Sequence, residues 1–417
     1  MAEDHALDSH IRALDRARSI LRAGPICDDC LGRAFARLGH GLTNAERGRS
    51  IRTVLSLGDI HGKKGTCWLC EDLFASAPYW ADRAVALAEG LEYETYLFGV
   101  KLTPRLREAE RLFGERFPTA LSEPLKHAFN REVGKAFESR TGRGTLALEH
   151  PQLWFTVGLA EKGITLGVLP LFVYGRYRKL LRGIPQTHWP CRHCGGRGCP
   201  RCQETGKQYP ESVEELIAAP FLEAAQAAEA HLHGAGREDI DARMLGSGRP
   251  FVLELVSPRK RRLDVAFLQE AVNRSAVGKV EAASLRFVDS DVVSQIKEAD
   301  AEKVYRAAVD FDADVTPARL KEALAGLLGM IEQETPHRVM HRRADLLRER
   351  RVLEIEGQLV SARRAEVRLR CDGGLYVKEL ISGDEGRTRP SLSECLAVPA
   401  RVVELDVMSV TSGSFPA

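Results

Sequence analysis

His231-Leu-His-Gly-Ala-Gly-Arg-Glu-Asp-Ile-Asp-Ala-Arg-Met-Leu-Gly-Ser-Gly-Arg-Pro250 is the stretch from which the rest of the chain is read. Gly234, Gly236, Gly246 and Gly248 bracket a run of charge in which Arg237, Glu238, Asp239, Asp241 and Arg243 fall within seven positions. Glycines at both ends predict sharp turns or a close approach to a ligand. Carboxylates interleaved with arginines predict an acid kept ionised by a cationic neighbour. Pro250-Phe-Val-Leu-Glu-Leu-Val-Ser257 follows at once and reads as a strand. By composition alone, a polar surface loop with incidental salt bridges is the better reading; the remainder of the chain changes that.

Downstream, strand patterns recur at 250–257, 280–288, 303–311, 351–357, 364–370 and 375–381. Helices are expected at 264–274 and 317–331, the second with Thr316 as N-cap and Pro317 at its first position. Asp372-Gly373-Gly374 is a hairpin signal between two of the strands. Many strands with few helices predict an α+β domain with a mixed, mainly antiparallel sheet. Just upstream, 211–232 reads as one or two helices.

Ten cysteines are present, and eight fall into Cys-x-x-Cys pairs: Cys27/Cys30, Cys67/Cys70, Cys191/Cys194 and Cys199/Cys202. The first two pairs enclose one small helical insertion and can close a single tetrahedral four-cysteine zinc site. Four protein thiolates leave no open coordination position, so the site is structural. A thioredoxin-type redox pair fits poorly, because two pairs are present and no βαβ pattern surrounds them. The second set, in Trp189-Pro-Cys-Arg-His-Cys-Gly-Gly-Arg-Gly-Cys-Pro-Arg-Cys202, predicts a compact zinc knuckle that braces domains. His188 or His193 could replace a cysteine there. Gly62-Lys63-Lys64-Gly65 fails as a phosphate loop, since no Ser or Thr follows the lysine.

Residues 5–22 read as an amphipathic helix stopped by Gly24-Pro25. Residues 71–187 alternate helical and strand patterns and predict an α+β module. It ends in Tyr174-Gly-Arg-Tyr-Arg-Lys-Leu-Leu-Arg-Gly183, where Arg176, Arg178 and Lys179 stand among tyrosines. Cations beside aromatics suit RNA, and a solvated helix face is an equal alternative.

The chain has 417 residues, enough for two or three domains. Its hydrophobic fraction is 44%, its charged fraction 28% and its formal net charge +2, so bulk charge does not announce nucleic acid. Met-Ala-Glu-Asp-His lacks the pattern of a signal peptide, and no apolar run approaches a membrane span. A cytoplasmic protein without a membrane partner is expected.

Three separated motifs then carry a resemblance. Gly236-Arg237-Glu238-Asp239 looks like the Gly-Arg-x-Asp of pseudouridine synthases. Lys303-Val304-Tyr305 is similar to their short strand bearing an active-site tyrosine, and Gly374-Leu-Tyr-Val-Lys-Glu-Leu380 to the strand bearing their basic residue, with Leu375 where Thr is more usual. Cys-Asp-x-Cys-Leu-Gly-Arg, Leu-Thr-Asn-x-Glu-Arg-Gly, Phe-Asn-Arg-Glu-Val-Gly-Lys, Gly-Arg-Tyr-Arg-Lys-Leu, Arg-Gly-Ile-Pro-Gln-Thr and Thr-Pro-x-Arg-Val-x-His-Arg-Arg-Ala-Asp sharpen it. From about Cys27 to Leu392 the chain resembles the archaeal tRNA pseudouridine synthases of family ten.

The resemblance implies a pseudouridine synthase catalytic domain behind a zinc-bearing, THUMP-like α+β accessory domain. It also implies pseudouridine formation in the T loop of tRNA, at positions 54 and 55. The expected division is a zinc-binding helical region at 1–70, a THUMP-like domain at 71–187, a zinc knuckle at 188–207 and the catalytic domain at 208–417. By motif, Asp239 is the catalytic aspartate, Lys378 its charge partner and Tyr305 the residue that stacks on a flipped base. Asp241 is a rival, because two residues on in an extended segment it would point the same way. Substrate contacts are expected from Arg237, Arg176, Arg178, Lys179, Arg259, Lys260, Arg261, Arg338, Arg342 and Arg343, as phosphate partners.

The reaction breaks N1–C1′ and rejoins the base through C5 without net redox change. Structural zinc is therefore the only cofactor expected, with no redox or nucleotide cofactor, and a monomer is expected. Two alternatives stay open: a THUMP-bearing methyltransferase or sulfur-transfer enzyme, and a zinc-dependent tRNA-binding protein without catalysis.

Overall fold

A computed structural model of the chain describes residues 2–38, 40–341 and 344–411, with side chains from residue 12. Contacts divide it into two units, Met1–Leu169 and Pro170–Ala417.

The first unit begins with α1 (Ala2–Ala23), α2 (Asp28–Arg33) and α3 (Asn44–Ser56). Thr43 and Glu46 form a reciprocal capping box that starts α3: Glu46 N donates to Thr43 Oγ1 at 3.2 Å and Thr43 N to Glu46 Oε2 at 2.8 Å. Then come α4 (Ala77–Leu87), β1 (Thr95–Lys101), α5 (Pro104–Arg116), α6 (Leu125–Thr141), β2 (Thr145–Leu146), β3 (Leu153–Gly158) and β4 (Gly163–Val168). The sheet order is β2-β1-β3-β4, with β1 parallel to both neighbours. Alternation along β1 puts Tyr96, Phe98 and Val100 inward. Phe98 stacks on Phe155 at 4.8 Å, and Phe137 of α6 packs edge-on to Phe98 at 5.4 Å. Buried Arg33 is paired with Glu110 at 2.5 Å and donates to Glu123 O at 2.9 Å.

The second unit contains β5 (Leu171–Lys179), α7 (Val213–Ala225), β6 (Glu229–Gly234), β7 (Arg243–Val256), α8 (Val265–Ser275), β8 (Val280–Val288), α9 (Asp291–Glu298) and β9 (Glu302–Phe311). After them come α10 (Pro317–Ala325), β10 (Gly329–Gln333), β11 (Arg348–Ser361), β12 (Arg364–Cys371), α11 (Val377–Ser382), β13 (Thr388–Arg389), α12 (Leu392–Leu396) and β14 (Ala400–Thr411). They build one sheet in the order β13-β10-β11-β12-β9-β14-β7-β5-β8, with β6 added to β7. Every pairing is antiparallel except that of β14 with β7. The mixed, mainly antiparallel α+β sheet is the one the strand pattern predicts. Tyr305, Ala307, Val309 and Phe311 of β9 alternate into its core.

Several local expectations change. Residues 174–183 are not a helix face: Leu171–Lys179 is a strand between β7 and β8, and the divide between units falls before it. Residues 375–381 are not a strand. The side chain of Gln333 clamps Tyr376, accepting from its N at 2.7 Å and donating to its O at 3.0 Å, and the chain then turns into α11. Val377, Leu380 and Ile381 are buried at helical spacing. The Asp372 turn therefore joins a strand to a helix. The helix expected at 317–331 ends at Ala325, and Gly329 begins β10; its Thr316 cap holds, accepting from Arg319 N at 3.4 Å.

Gly246 and Gly248, with φ of +51° and +71°, serve protein backbone. A Cβ on Gly246 would lie 2.0 Å from Met408 O, and one on Gly248 2.9 Å from Tyr177 O. They let β14 and β5 approach β7.

Candidate active site

The loop joining β6 to β7 is anchored at the carbonyls of Ala235, Gly236, Asp239, Ile240 and Asp241. Arg249 Nη1 donates to Ala235 O at 2.7 Å and Gln186 Nε2 to Gly236 O at 3.0 Å. Lys179 Nζ donates to Asp239 O at 3.1 Å and to Ile240 O at 3.2 Å. Arg182 Nη1 donates to Asp241 O at 2.9 Å. The backbone closes on itself where Ala242 N donates to Asp239 O at 3.0 Å. Such a loop presents side chains without paying ordering entropy at each turnover.

Asp239 and Asp241 both face a cleft and share one cation. Lys378 Nζ lies 3.3 Å from Asp239 Oδ2 and 2.7 Å from Asp241 Oδ2. Arg338 Nη1 adds a bond to Asp239 Oδ1 at 3.0 Å, while its Nε donates to Glu379 at 2.6 Å. Asp239 is 36% exposed and Asp241 70%, so Asp239 is the more enclosed. Burial pushes the Asp241 carboxyl up, but the hydrogen bond and charge of Lys378 outweigh it and hold the group below the usual carboxylate range.

Tyr305 enters the same cleft from β9, with only 8% of its surface exposed. Burial, and then the nearby Cys371, raise its hydroxyl well above the ordinary tyrosine range, so it is a neutral phenol at neutral pH. Lys303, two residues earlier on β9, and Arg237 also reach the wall. The cavity measures about 670 Å³. The three motif residues, spread over 140 positions of sequence, thus converge on one cavity of ligand-site size.

The profile of the Pus10 C-terminal region matches residues 172–411, more than half of the chain. The chain belongs to the Pus10 family. The archaeal Pus10 THUMP profile matches residues 80–157. The tRNA pseudouridine synthase Pus10 of Methanothrix thermoacetophila is 46% identical over 95% of this chain and 94% of its own length. That of Halorubrum lacusprofundi is 46% identical over 97% of each chain, and that of Pyrococcus furiosus 39% over 95% and 97%.

Other residues read from the sequence find varied places in this Pus10 chain. Lys179, expected to face RNA, is fully buried and props the Asp239 loop. Arg176 donates to Ser247 O at 2.7 Å, Gly248 O at 3.0 Å and Val410 O at 2.7 Å, so it ties strands together. Arg178 pairs with Glu281 on β8. Arg338 belongs to the carboxylate network. Arg259, Lys260 and Arg261 follow the end of β7 remote from the Asp239 loop and do not line the cavity. Arg342 and Arg343 lie outside the described residues. Sequence reasoning missed Glu379, adjacent to Lys378, and Trp189, which lines the cavity one residue before the Pro190–Lys207 bridge of the cysteine knuckle. No local signal marks Glu379. Trp189 is marked only by its place beside Cys191.

Each set of four cysteines gathers its sulphurs within 4.8 Å of one another and could hold a metal ion. Cys30, Cys67 and Cys70 are buried and Cys27 half-buried; in the second set Cys191 and Cys194 are buried and Cys199 and Cys202 half-buried. Knuckle amides aim at sulphur: Cys30 N to Cys27 Sγ at 3.4 Å, Cys199 N and Gly206 N to Cys202 Sγ at 3.2 and 3.3 Å. Neither His188 nor His193 joins the described clusters.

Proposed function

We propose that this chain isomerises uridine to pseudouridine in the T loop of tRNA, at positions 54 and 55, with Asp239 as the reacting carboxylate. One observation carries the reading: Asp239, Tyr305 and Lys378 line one cavity, with Lys378 3.3 Å from Asp239. A uridine in a folded loop has to leave its stack to enter such a cavity. Asp239, held by Lys378 at 3.3 Å and Arg338 at 3.0 Å, attacks or electrostatically supports C1′ as the N1–C1′ bond breaks. The freed uracil turns, C5 bonds to C1′ as any Asp239 O–C1′ bond breaks and its electron pair returns to the carboxylate, and the proton lost from C5 is balanced by one gained at N1. Tyr305 stacks on the base, its neutral hydroxyl close to the C5 proton. Arg237 and the 259–262 run supply phosphate contacts.

Both cysteine sets hold structural zinc in this reading. A tetrahedral zinc with bonds of about 2.3 Å needs sulphurs about 3.8 Å apart. Cys27–Cys70 is 3.6 Å, Cys199–Cys202 3.6 Å and Cys194–Cys202 3.9 Å. Zinc would fix the knuckles and take no part in the reaction.

The test is nucleoside analysis of a T-loop transcript after incubation with wild type, Asp239→Asn and Asp241→Asn. Loss of pseudouridine only in Asp239→Asn is expected; full conversion by that variant would sink the assignment. Metal analysis of the purified protein should return two zinc ions per chain.

A further inference from the structure

We infer that Glu238 is the positioning residue of this site: a buried anion whose ion pair and hydrogen bonds fix the peptide that carries Asp239. The inference rests on the reading of Asp239 as the reacting carboxylate.

Neighbouring carboxylates in the loop face opposite ways. Asp239 is open to the cleft, while the Glu238 side chain is 0% exposed. Arg249, itself 1% exposed, donates Nε to Glu238 Oε2 at 2.8 Å. The Tyr177 hydroxyl lies 2.9 and 3.0 Å from the two carboxylate oxygens. Lys179 Nζ stands 3.9 Å away.

Arg249 and Lys179 grip the loop with their other contacts, and Tyr177 is joined to it through Gln186. Arg249 holds Ala235 O. Lys179 holds Asp239 O and Ile240 O, and also Ile184 O at 3.0 Å. Gln186 donates to both the Tyr177 hydroxyl, at 2.8 Å, and Gly236 O. One anion thus organises donors whose remaining contacts reach the backbone on both sides of Asp239. A desolvated ion cluster of this kind is poor value as stabilisation, since packed apolar side chains would serve as well. What apolar side chains could not do is hold four loop carbonyls in one geometry. Misplacing a reacting group by about 1 Å can cost about 10²-fold in rate.

The experiment uses the full-length, metal-replete protein and a T-loop-bearing tRNA transcript. Single-turnover rate and RNA dissociation constant are measured separately for wild type, Glu238→Gln, Tyr177→Phe and Asp239→Asn. Glu238→Gln keeps the side chain's size but loses the charge that pairs Arg249. Its rate should fall about 10²-fold with RNA affinity within about twofold of wild type. Tyr177→Phe should lose about tenfold, and the double variant should be no slower than Glu238→Gln, because the hydroxyl acts through the carboxylate. Wild-type rate in Glu238→Gln beside an inactive Asp239→Asn would overturn this inference alone. So would rate losses matched by equal losses of affinity. Full rate in Asp239→Asn would overturn the catalytic reading and this inference with it. If Glu238→Gln does not fold, Tyr177→Phe decides: a slower rate at unchanged affinity supports the inference, and an unchanged rate overturns it.

Discussion

Arg338 reaches Asp239 across 3.0 Å although 99 positions of sequence separate them. The same guanidinium bonds Glu379, whose side chain is only 6% exposed, at 2.6 Å. It therefore both braces the reacting carboxylate and neutralises a buried acid. Arg338→Met should lower the rate and also destabilise the fold by about 1–2 kcal/mol, because Glu379 is left uncompensated though the arginine it loses is partly solvent-screened. Adding Glu379→Gln should recover most of the stability and none of the rate. Urea melts and single-turnover rates on the two variants check this, and joint recovery would refute the divided role.

The sharing of Lys378 makes a prediction about protonation. Burial alone would raise Asp241; Lys378 holds it below the usual carboxylate range. In Lys378→Met only the backbone hydrogen bond at Asp241 and the charge of Arg338 still oppose burial, so the Asp241 titration midpoint should move up. Carboxyl-detected NMR with labelled aspartate reads the midpoint directly. A midpoint that stays put would mean that Lys378 does not set this charge.

Tyr305→Phe keeps the ring that would stack on a base and removes the hydroxyl. It should retain RNA affinity within about twofold while the rate falls about 10²-fold or more, the size of effect expected for a group that assists proton transfer. Release of tritium from C5 of labelled uridine follows that step. Equal rates in wild type and Tyr305→Phe would confine the residue to packing.

Asp406, 5% exposed, accepts from Arg182 at 2.7 Å, Arg243 at 2.8 Å and Arg306 at 2.9 Å, and so ties β14 to β7, β9 and the turn behind the Asp241 carbonyl. Burial raises its carboxyl, but the three arginines prevail and bring it to about 2, from an ordinary 3.8. A depressed acid contributes stability in full above its unfolded value and loses it as pH falls through the folded one. The contribution, about 2 kcal/mol by linkage, should be present at pH 6 and gone near pH 2. Denaturant melts should show Asp406→Asn trailing wild type at pH 6, with the gap closing between pH 4 and 2. A constant gap would exclude the carboxylate's charge as its cause.

The two cysteine clusters should release metal at different rates. In the first set only Cys27 is half-buried and the other three are buried, whereas in the second both Cys199 and Cys202 are half-buried beside buried Cys191 and Cys194, so a chelator should strip the 191–202 knuckle first. Trp189, just before that knuckle, lines the cavity, and its ring meets Tyr209 at 5.7 Å. Loss of the first-released metal should therefore change tryptophan fluorescence and weaken RNA binding together. Release of both metals in one phase would contradict the burial argument.

How far the site was legible depends on the range over which each feature is determined. The cysteine knuckles were readable because two thiolates three positions apart define a local turn. The Thr43 and Thr316 caps have the same local origin. The strand Leu171–Lys179 is misread because its partners lie on β7 and β8, at least 65 residues downstream, and only their pairing turns a basic, aromatic run into a sheet centre. Helix α11 depends on a clamp from Gln333, 43 positions away. Glu238 was hidden differently. It lies in a charged run that reads as surface, and its burial follows from Arg249 and Tyr177 arriving from beneath. Asp239 and Lys378 were paired by motif alone, and no spacing rule revealed that Asp241 shares the same lysine.

Strand β14 sits in the middle of the sheet, between β9 and β7, although it is the last strand described in the chain. Without it, the sheet falls into two separate halves, one carrying Tyr305 and the other following Asp239, with no strand pairing between them among the described residues. A chain grows from its N-terminus and folds as it emerges. Every ribosome making this protein therefore carries an incomplete cavity until residues 400–411 are clear of the exit tunnel. The cavity is completed in one step when 400–411 pairs with β7 and β9, and a chain cut short before residue 400 should be inert toward RNA chemistry even with its accessory unit and both cysteine knuckles intact.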